Sequence, residues 1–183
     1  MKKTVTLIEL ILAIALMGVV ILGVTSFDMG SRQFLQSSER KTQVLNEAAF
    51  IMDSIAKDAL LAVGDKNNNA ITRTKNDFPP DIHADVVRIN QDTDQDGIVD
   101  RIITYKKRTQ NSEIIKMIDN DPAQQTVISN RGYSFEVGAV VPGRNTVQIA
   151  MRLRFDPATN MDPFNNPEVR LQSSIEVPGW SLN

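Results

Sequence analysis

Val5 to Val24 reads VTLIELILAIALMGVVILGV, and Glu9 is the only charge in those 20 residues. A run of this length matches the roughly 20 apolar residues that cross a hydrocarbon layer about 30 Å thick. Any fold must keep this segment out of water, and a helix is the form that satisfies its backbone without outside partners. Lys2 and Lys3 precede the run, so the positive-inside tendency puts the N-terminus in the cytoplasm and the chain beyond Phe27 outside. A carboxylate at membrane depth costs a few kcal/mol on insertion scales, which makes Glu9 a functional candidate unless it lies at the hydrated interface. A secretory signal cut near Gly23-Val24-Thr25 is the alternative. Both the charge inside the apolar segment and the helical pattern that continues beyond it disfavour that reading.

All eight prolines lie at or beyond Pro79, so nothing interrupts a helix before that point. Leu45, Met52 and Ala59 repeat every seven positions, with Ala48, Ile55 and Ala62 beside them, while Arg40, Lys41, Glu47, Asp53, Lys57 and Asp58 fall on the other face. This spacing predicts an amphipathic continuation. Together the two halves form one helix from Val5 to Val63, ended by Gly64 and on the order of 90 Å long. Beyond Asp85 the pattern alternates with period two, which predicts strands over Val86–Asn90, Arg101–Lys107, Glu113–Ile118, Tyr133–Val140, Thr146–Phe155 and Val169–Val177. The clearest is TVQIAMRLRF, with Val147, Ile149, Met151, Leu153 and Phe155 on one side and Gln148, Arg152 and Arg154 on the other. Short polar connections favour antiparallel hairpins, and 65–80 reads as an irregular link. The expected fold is α+β, a long helix packed on an antiparallel sheet. Phe34, Phe50, Tyr105, Phe135 and Phe155 are the aromatic core candidates.

Composition narrows the chemistry. The chain has no cysteine and only one histidine, His83, which removes disulfide scaffolds, thiolate metal sites and imidazole-based catalysis. A net charge of -2 lacks the basic excess of a nucleic-acid binder, and no phosphate loop or paired-carboxylate constellation stands out. An enzyme is not expected. One acidic loop does suggest a ligand: Asp92-Thr93-Asp94-Gln95-Asp96-Gly97-Ile98-Val99-Asp100 follows the first nine positions of an EF-hand-like loop. Oxygens of Asp92, Asp94 and Asp96, the Ile98 carbonyl and Asp100 would surround a calcium ion, with Gly97 at the sharp turn. The twelfth position is Ile103 rather than glutamate, and the flanks read as strands, so the expectation is a calcium-clamped hairpin that orders the loop. The plainer alternative is a solvated Asp-Gly turn.

Basic residues, a short leader and then Thr6-Leu7-Ile8-Glu9 resemble the leader and N-terminal helix of type IV pilins and of the pseudopilins of type II secretion. The family motif places a glycine before the cleavage site and phenylalanine after it. Here those positions are Thr4 and Val5. The resemblance implies a leader over 1–4, a membrane and assembly helix over 5–27, an amphipathic half over 28–64 and an exported β-rich domain over 65–183. It implies processing between Thr4 and Val5 by a prepilin peptidase, methylation of the Val5 amine, and pairing of Glu9 with that amine on a neighbouring subunit. The implied partners are other pilin or pseudopilin subunits, an inner-membrane assembly platform and the membrane. The layout of helix end, VVRI strand, acidic loop and RIITYK is similar to J-type minor pseudopilins and W-type minor pilins, which suggests a place at or near a filament tip. A shaft subunit of the same family, or a non-assembling anchored calcium-binding adhesive protein, is the alternative.

Overall fold

The computed structural model describes residues 6–64, 69–75, 83–94, 96, 98–108, 110–138 and 146–176. Helix α1 runs from Leu7 to Leu60 without a break, 54 residues and about 80 Å. It ends three residues before the expected Val63 because the chain docks on a strand there. The Leu61 and Ala62 amides tighten the last turn onto Asp58 and Ala59, and the Val63 amide donates to the Asn90 carbonyl at 2.9 Å.

Among the described residues eight strands follow: β1 (Ile71–Thr74), β2 (Val86–Gln91), β3 (Arg101–Lys107), β4 (Ile114–Ile118), β5 (Gln125–Ser129), β6 (Gly132–Val137), β7 (Thr146–Arg154) and β8 (Glu168–Glu176). They form two antiparallel meanders rather than one sheet, ordered β1-β2-β3-β4-β5 and β6-β7-β8. The sheets meet at β6. There the Phe135 amide donates to the His83 carbonyl at 2.7 Å and the Asp85 amide returns a bond to the Phe135 carbonyl at 2.9 Å. Asp85 is fully buried and its carboxylate accepts the Val137 amide at 2.8 Å. Its burial is matched by a specific partner. Strands β1 and β5 are additions to the expected set, and β1 lies inside the stretch that reads as an irregular link.

The C-terminal half of α1 supplies one wall of the core. Val44, Ala48, Ile51, Met52, Ile55 and Ala59 are its buried residues, and they pack with Val87, Ile89, Ile103, Tyr105, Phe135, Val147, Ile149, Met151 and Leu153 from both sheets. Four details depart from the sequence reading. Leu45 is 43% exposed because the stripe advances by steps of three and four residues through Val44 and Ile51. Phe34 and Phe50 stand on the open side of the helix at 67% and 62% exposure, so neither is core. Glu47 and Asp58 turn inward to Arg131 and Lys116 instead of facing water. Arg154 also departs, being 8% exposed: Glu168 holds its guanidinium at 2.7 and 3.1 Å, and it stacks 3.8 Å from the Tyr133 ring centre.

Nothing among the described residues packs on the apolar N-terminal stretch of α1. Its apolar window is long and apolar enough to cross a membrane, and none of that window is buried. The chain is therefore an α+β protein with, among the described residues, one helix long and apolar enough to cross a membrane, near its N-terminus.

Candidate functional site

Two places carry the sequence candidates. At the start of α1, Thr6 is the N-cap residue. Glu9 reaches back so that its Oε2 accepts the Thr6 amide and the Thr6 hydroxyl, both at 2.9 Å. This is the return half of a capping box, which satisfies an orphan amide at the helix end and places a negative charge against the positive end of the helix dipole. The T-x-x-E spacing was legible in the sequence as a helix-start signal, but the apolar context drew attention to the charge alone. Thr4 and Val5, the processing candidates, lie outside the described residues, as does Trp180.

The acidic loop joins β2 to β3 as a hairpin, with Gln91 opposite Arg101 and the Asp100 amide donating to the Gln91 carbonyl at 2.9 Å. Asp92 is 5% exposed, and its amide donates to Leu61 O at 3.4 Å, so the loop begins against the end of α1. Asp92, Asp94 and Asp100 each present a carboxylate oxygen within 4.8 Å of the others. Asp96 stands apart from that trio. Its Oδ1 accepts the Ile98 amide at 2.7 Å, a local Asx turn that uses the carboxylate to shape the loop. Gln95 and Gly97 lie outside the described residues.

The electrostatics of the trio are uneven. Thr93 donates its hydroxyl and amide to Asp100 Oδ2 at 2.7 and 2.8 Å, and these bonds hold the Asp100 carboxyl below its usual range. For Asp94 the Asp96 amide favours the charged form, yet desolvation, the Asp100 and Asp96 charges and a bond with Asp92 together raise it above the usual range. Three clustered carboxylates repel, and a bound cation relieves that repulsion. The donor set is oxygen only, which suits a hard cation such as calcium and does not suit a transition metal preferring nitrogen or sulfur.

Behind this hairpin lies a cluster that the sequence reading did not find. Asp58 accepts a short hydrogen bond from the Tyr105 hydroxyl and pairs with Lys116 Nζ at 2.6 Å. Ser54 Oγ lies 2.9 Å from the same hydroxyl. Gln91 Nε2 donates to the Asp58 carbonyl at 2.8 Å. Burial first, and then the Asp58 carboxylate, push the Tyr105 phenol far above its ordinary value. The cluster clamps the end of α1 to β2 and β3, the strands that carry the acidic hairpin, and to β4 beside them.

Comparison with protein-family models, with curated proteins and with solved structures finds no match for this chain.

Proposed function

We propose that this protein is a membrane-anchored, pilin-like subunit that assembles into a filament through α1, as a minor subunit at or near the tip. The observation that carries this reading is the division of one continuous helix into two halves. Its second half supplies buried residues to the core of the domain, and its first half presents an apolar surface that nothing among the described residues covers. Lipid covers such a surface before assembly, and the same helices of neighbouring subunits cover it afterwards. Glu9 then has two roles in turn. Alone, it caps its own helix through Thr6; in the filament it neutralises the Val5 amine of a neighbour and so sets register, the best-attested use of a buried charge pair. Calcium, when bound, neutralises the carboxylates of Asp92, Asp94 and Asp100 and orders the hairpin.

The deciding experiment follows incorporation of full-length Glu9→Ala into filaments. The proposal expects incorporation to fall sharply while membrane insertion persists. Unchanged incorporation refutes assembly through Glu9 and favours a non-assembling anchored protein. Mass analysis of the N-terminus checks the cut between Thr4 and Val5 and methylation of Val5. The calcium part is tested separately by thermal melting with added calcium. The parent melts higher, Asp92→Asn with Asp100→Asn loses the response, and Asp96→Asn retains most of it because Asp96 lies outside the trio. A parent that does not respond removes the calcium assignment.

A further inference from the structure

The β2–β3 hairpin carries opposite charge at its two ends. At the end remote from the acidic loop, Lys106, Lys107 and Arg108 line an open groove of about 450 Å³ together with Ala84 and Val86. Among the described residues, Arg108 alone of the three cations has a counter-charge, Glu113 Oε2 at 2.6 Å. Lys107 Nζ donates to the Arg108 carbonyl at 3.3 Å, and burial lowers its pKa with no carboxylate to offset the loss of water. Lys106 is partly buried and has no acceptor among the described residues. Two ammonium groups drawn half out of water without a counter-ion form a site that an anion would complete.

The other end of the same hairpin offers anions in a fixed setting. Asp96 and Asp100 are exposed, and Ile98 between them is 65% exposed. The Ile98 amide holds the Asp96 carboxylate and Thr93 holds that of Asp100, so a contact made through them costs little further ordering. Ile98 matches the apolar part of the groove, and the carboxylates on either side of it match the lysines. The loop does not reach the groove of its own chain. Val86 lies opposite Lys106 and Gln91 opposite Arg101, while the Asp100 amide still bonds the Gln91 carbonyl. The six steps from Asp100 to Lys106 cover about 20 Å, of which the two residues back to Ile98 recover at most about 7 Å. Complementary patches at opposite ends of one hairpin therefore join different copies, and a contact between unlike patches propagates head to tail.

We propose that the acidic loop of one copy docks in the basic groove of a second copy, with Ile98 against Ala84 and Val86 and with Asp96 and Asp100 beside Lys106 and Lys107. The contact adds an interface between globular domains to the assembly proposed through α1, and it rests on that reading only for its repetition along a filament.

The test co-expresses two differently tagged full-length copies and oxidises the membranes that hold them. The chain has no cysteine, so introduced thiols are the only ones, and a disulfide requires Cα atoms within about 7 Å. Ile98→Cys in one copy and Val86→Cys in the other should crosslink several-fold more than Ile98→Cys with Val127→Cys, an exposed position on β5. Asp96→Lys, which spares the Asp92, Asp94 and Asp100 trio, should cut that yield several-fold, and Lys107→Glu in the groove copy should restore it. One chain carrying both cysteines should give a ladder of crosslinked species. A yield no higher than that of the Val127→Cys control, or one indifferent to Asp96→Lys, overturns the docking. Dimers without a ladder overturn the head-to-tail arrangement. Lys106→Cys repeats the measurement from the neighbouring strand, so a single poorly folded variant does not decide it. A ladder from Glu9→Ala membranes that form no filaments leaves this contact standing, whereas filaments without the crosslink remove this contact and leave assembly through α1.

Discussion

Removing Asp58 should unlock the end of α1 from the five-stranded sheet. The Asp58 side chain is 17% exposed and that of Lys116 is 28% exposed, while Tyr105 is fully buried. A hydrogen bond to a charged group contributes about 1.5–3 kcal/mol, and a partly exposed ion pair adds no more than about 1 kcal/mol. Ser54 remains as a partner for the Tyr105 hydroxyl, so the phenol is not stranded when the carboxylate goes. Asp58→Ala is therefore expected to cost roughly 2–4 kcal/mol, and Tyr105→Phe about 1.5–2 kcal/mol. Because the two groups touch, the double variant should cost less than the sum, with a coupling of about 1–2 kcal/mol.

The assay is urea unfolding of a fragment beginning at residue 28, which keeps every buried residue of α1, since the first of these is Val44. For a chain of this size the Asp58→Ala loss corresponds to a melting shift of roughly 4–16 °C. The phenol gives a second readout. Its pKa is raised in the fold, whereas an unfolded tyrosine ionises near pH 10. Its contribution is fully present below pH 10 and is lost above it, where the unfolded state releases a proton that the folded state keeps, with a slope of up to about 1.4 kcal/mol per pH unit. Burial lowers the pKa of Lys107 and gives the opposite sign, so the quantity to compare is parent against Tyr105→Phe. An Asp58→Ala cost below about 0.5 kcal/mol with no coupling would refute the clamp.

The remaining predictions concern packing and the helix. Ile55→Ala, at a fully buried position, should cost about 2–5 kcal/mol, whereas Leu45→Ala should stay within about 0.5–1 kcal/mol; equal costs in urea titrations would contradict the helix phase. Gly132→Ala would place a Cβ 2.7 Å from Ile114 Cγ1 and 3.0 Å from the Ser112 carbonyl, and since the carbonyl accepts the Gly132 amide at 2.7 Å it has little room to move. A loss of about 1–3 kcal/mol is expected, and a neutral result by thermal melting would contradict the close approach. Amides over 28–36 of membrane-inserted protein should exchange hydrogen faster than those over 44–59, and Gly30→Ala, which meets nothing within 4 Å, should slow that exchange several-fold by adding about 0.5–1 kcal/mol of helix stability. Uniform protection along α1 would refute this.

Much of this fold was legible because burial writes a period into the sequence. Strand β7 alternates so cleanly that its inward set, Val147, Ile149, Met151 and Leu153, is fully buried as expected. The strands missed are those with little to bury. In β1 only Ile71 is fully buried and in β5 only Ser129, because each lies at an edge of its sheet, where backbone pairing with one neighbour more than packing defines the element. Along α1 the stripe was legible at Ala48, Met52, Ile55, Ala59 and Ala62, all of them buried. Leu45 alone falls outside it, because the helix turns every 3.6 residues, so a strict seven-residue series drifts to the edge of the stripe while Val44 and Ile51 fill its face. At the acidic hairpin the sequence supplied five candidate ligand positions, of which Asp92, Asp94 and Asp100 converge, while Asp96 is drawn aside by the Ile98 amide; local side-chain to backbone bonds of this kind compete with any ligand and leave no trace in spacing.

What spacing also leaves unsaid is how the two candidate sites are joined. The helix that carries Glu9 at one end carries Asp58 in its last turn, and Asp58 holds Tyr105 of β3 and Lys116 of β4 while its carbonyl receives Gln91 of β2. One residue further along β2, Asp92 begins the acidic loop and binds Leu61 just past the helix end. A cation that draws Asp92, Asp94 and Asp100 together thus acts on the joint where the stem enters the domain, not on a remote tip. It follows that loss of calcium, in the reading proposed above, should loosen the C-terminal turns of α1 and leave the membrane half unchanged, because among the described residues the hydrogen bonds from the helix to the strands that hold the loop come from its C-terminal end.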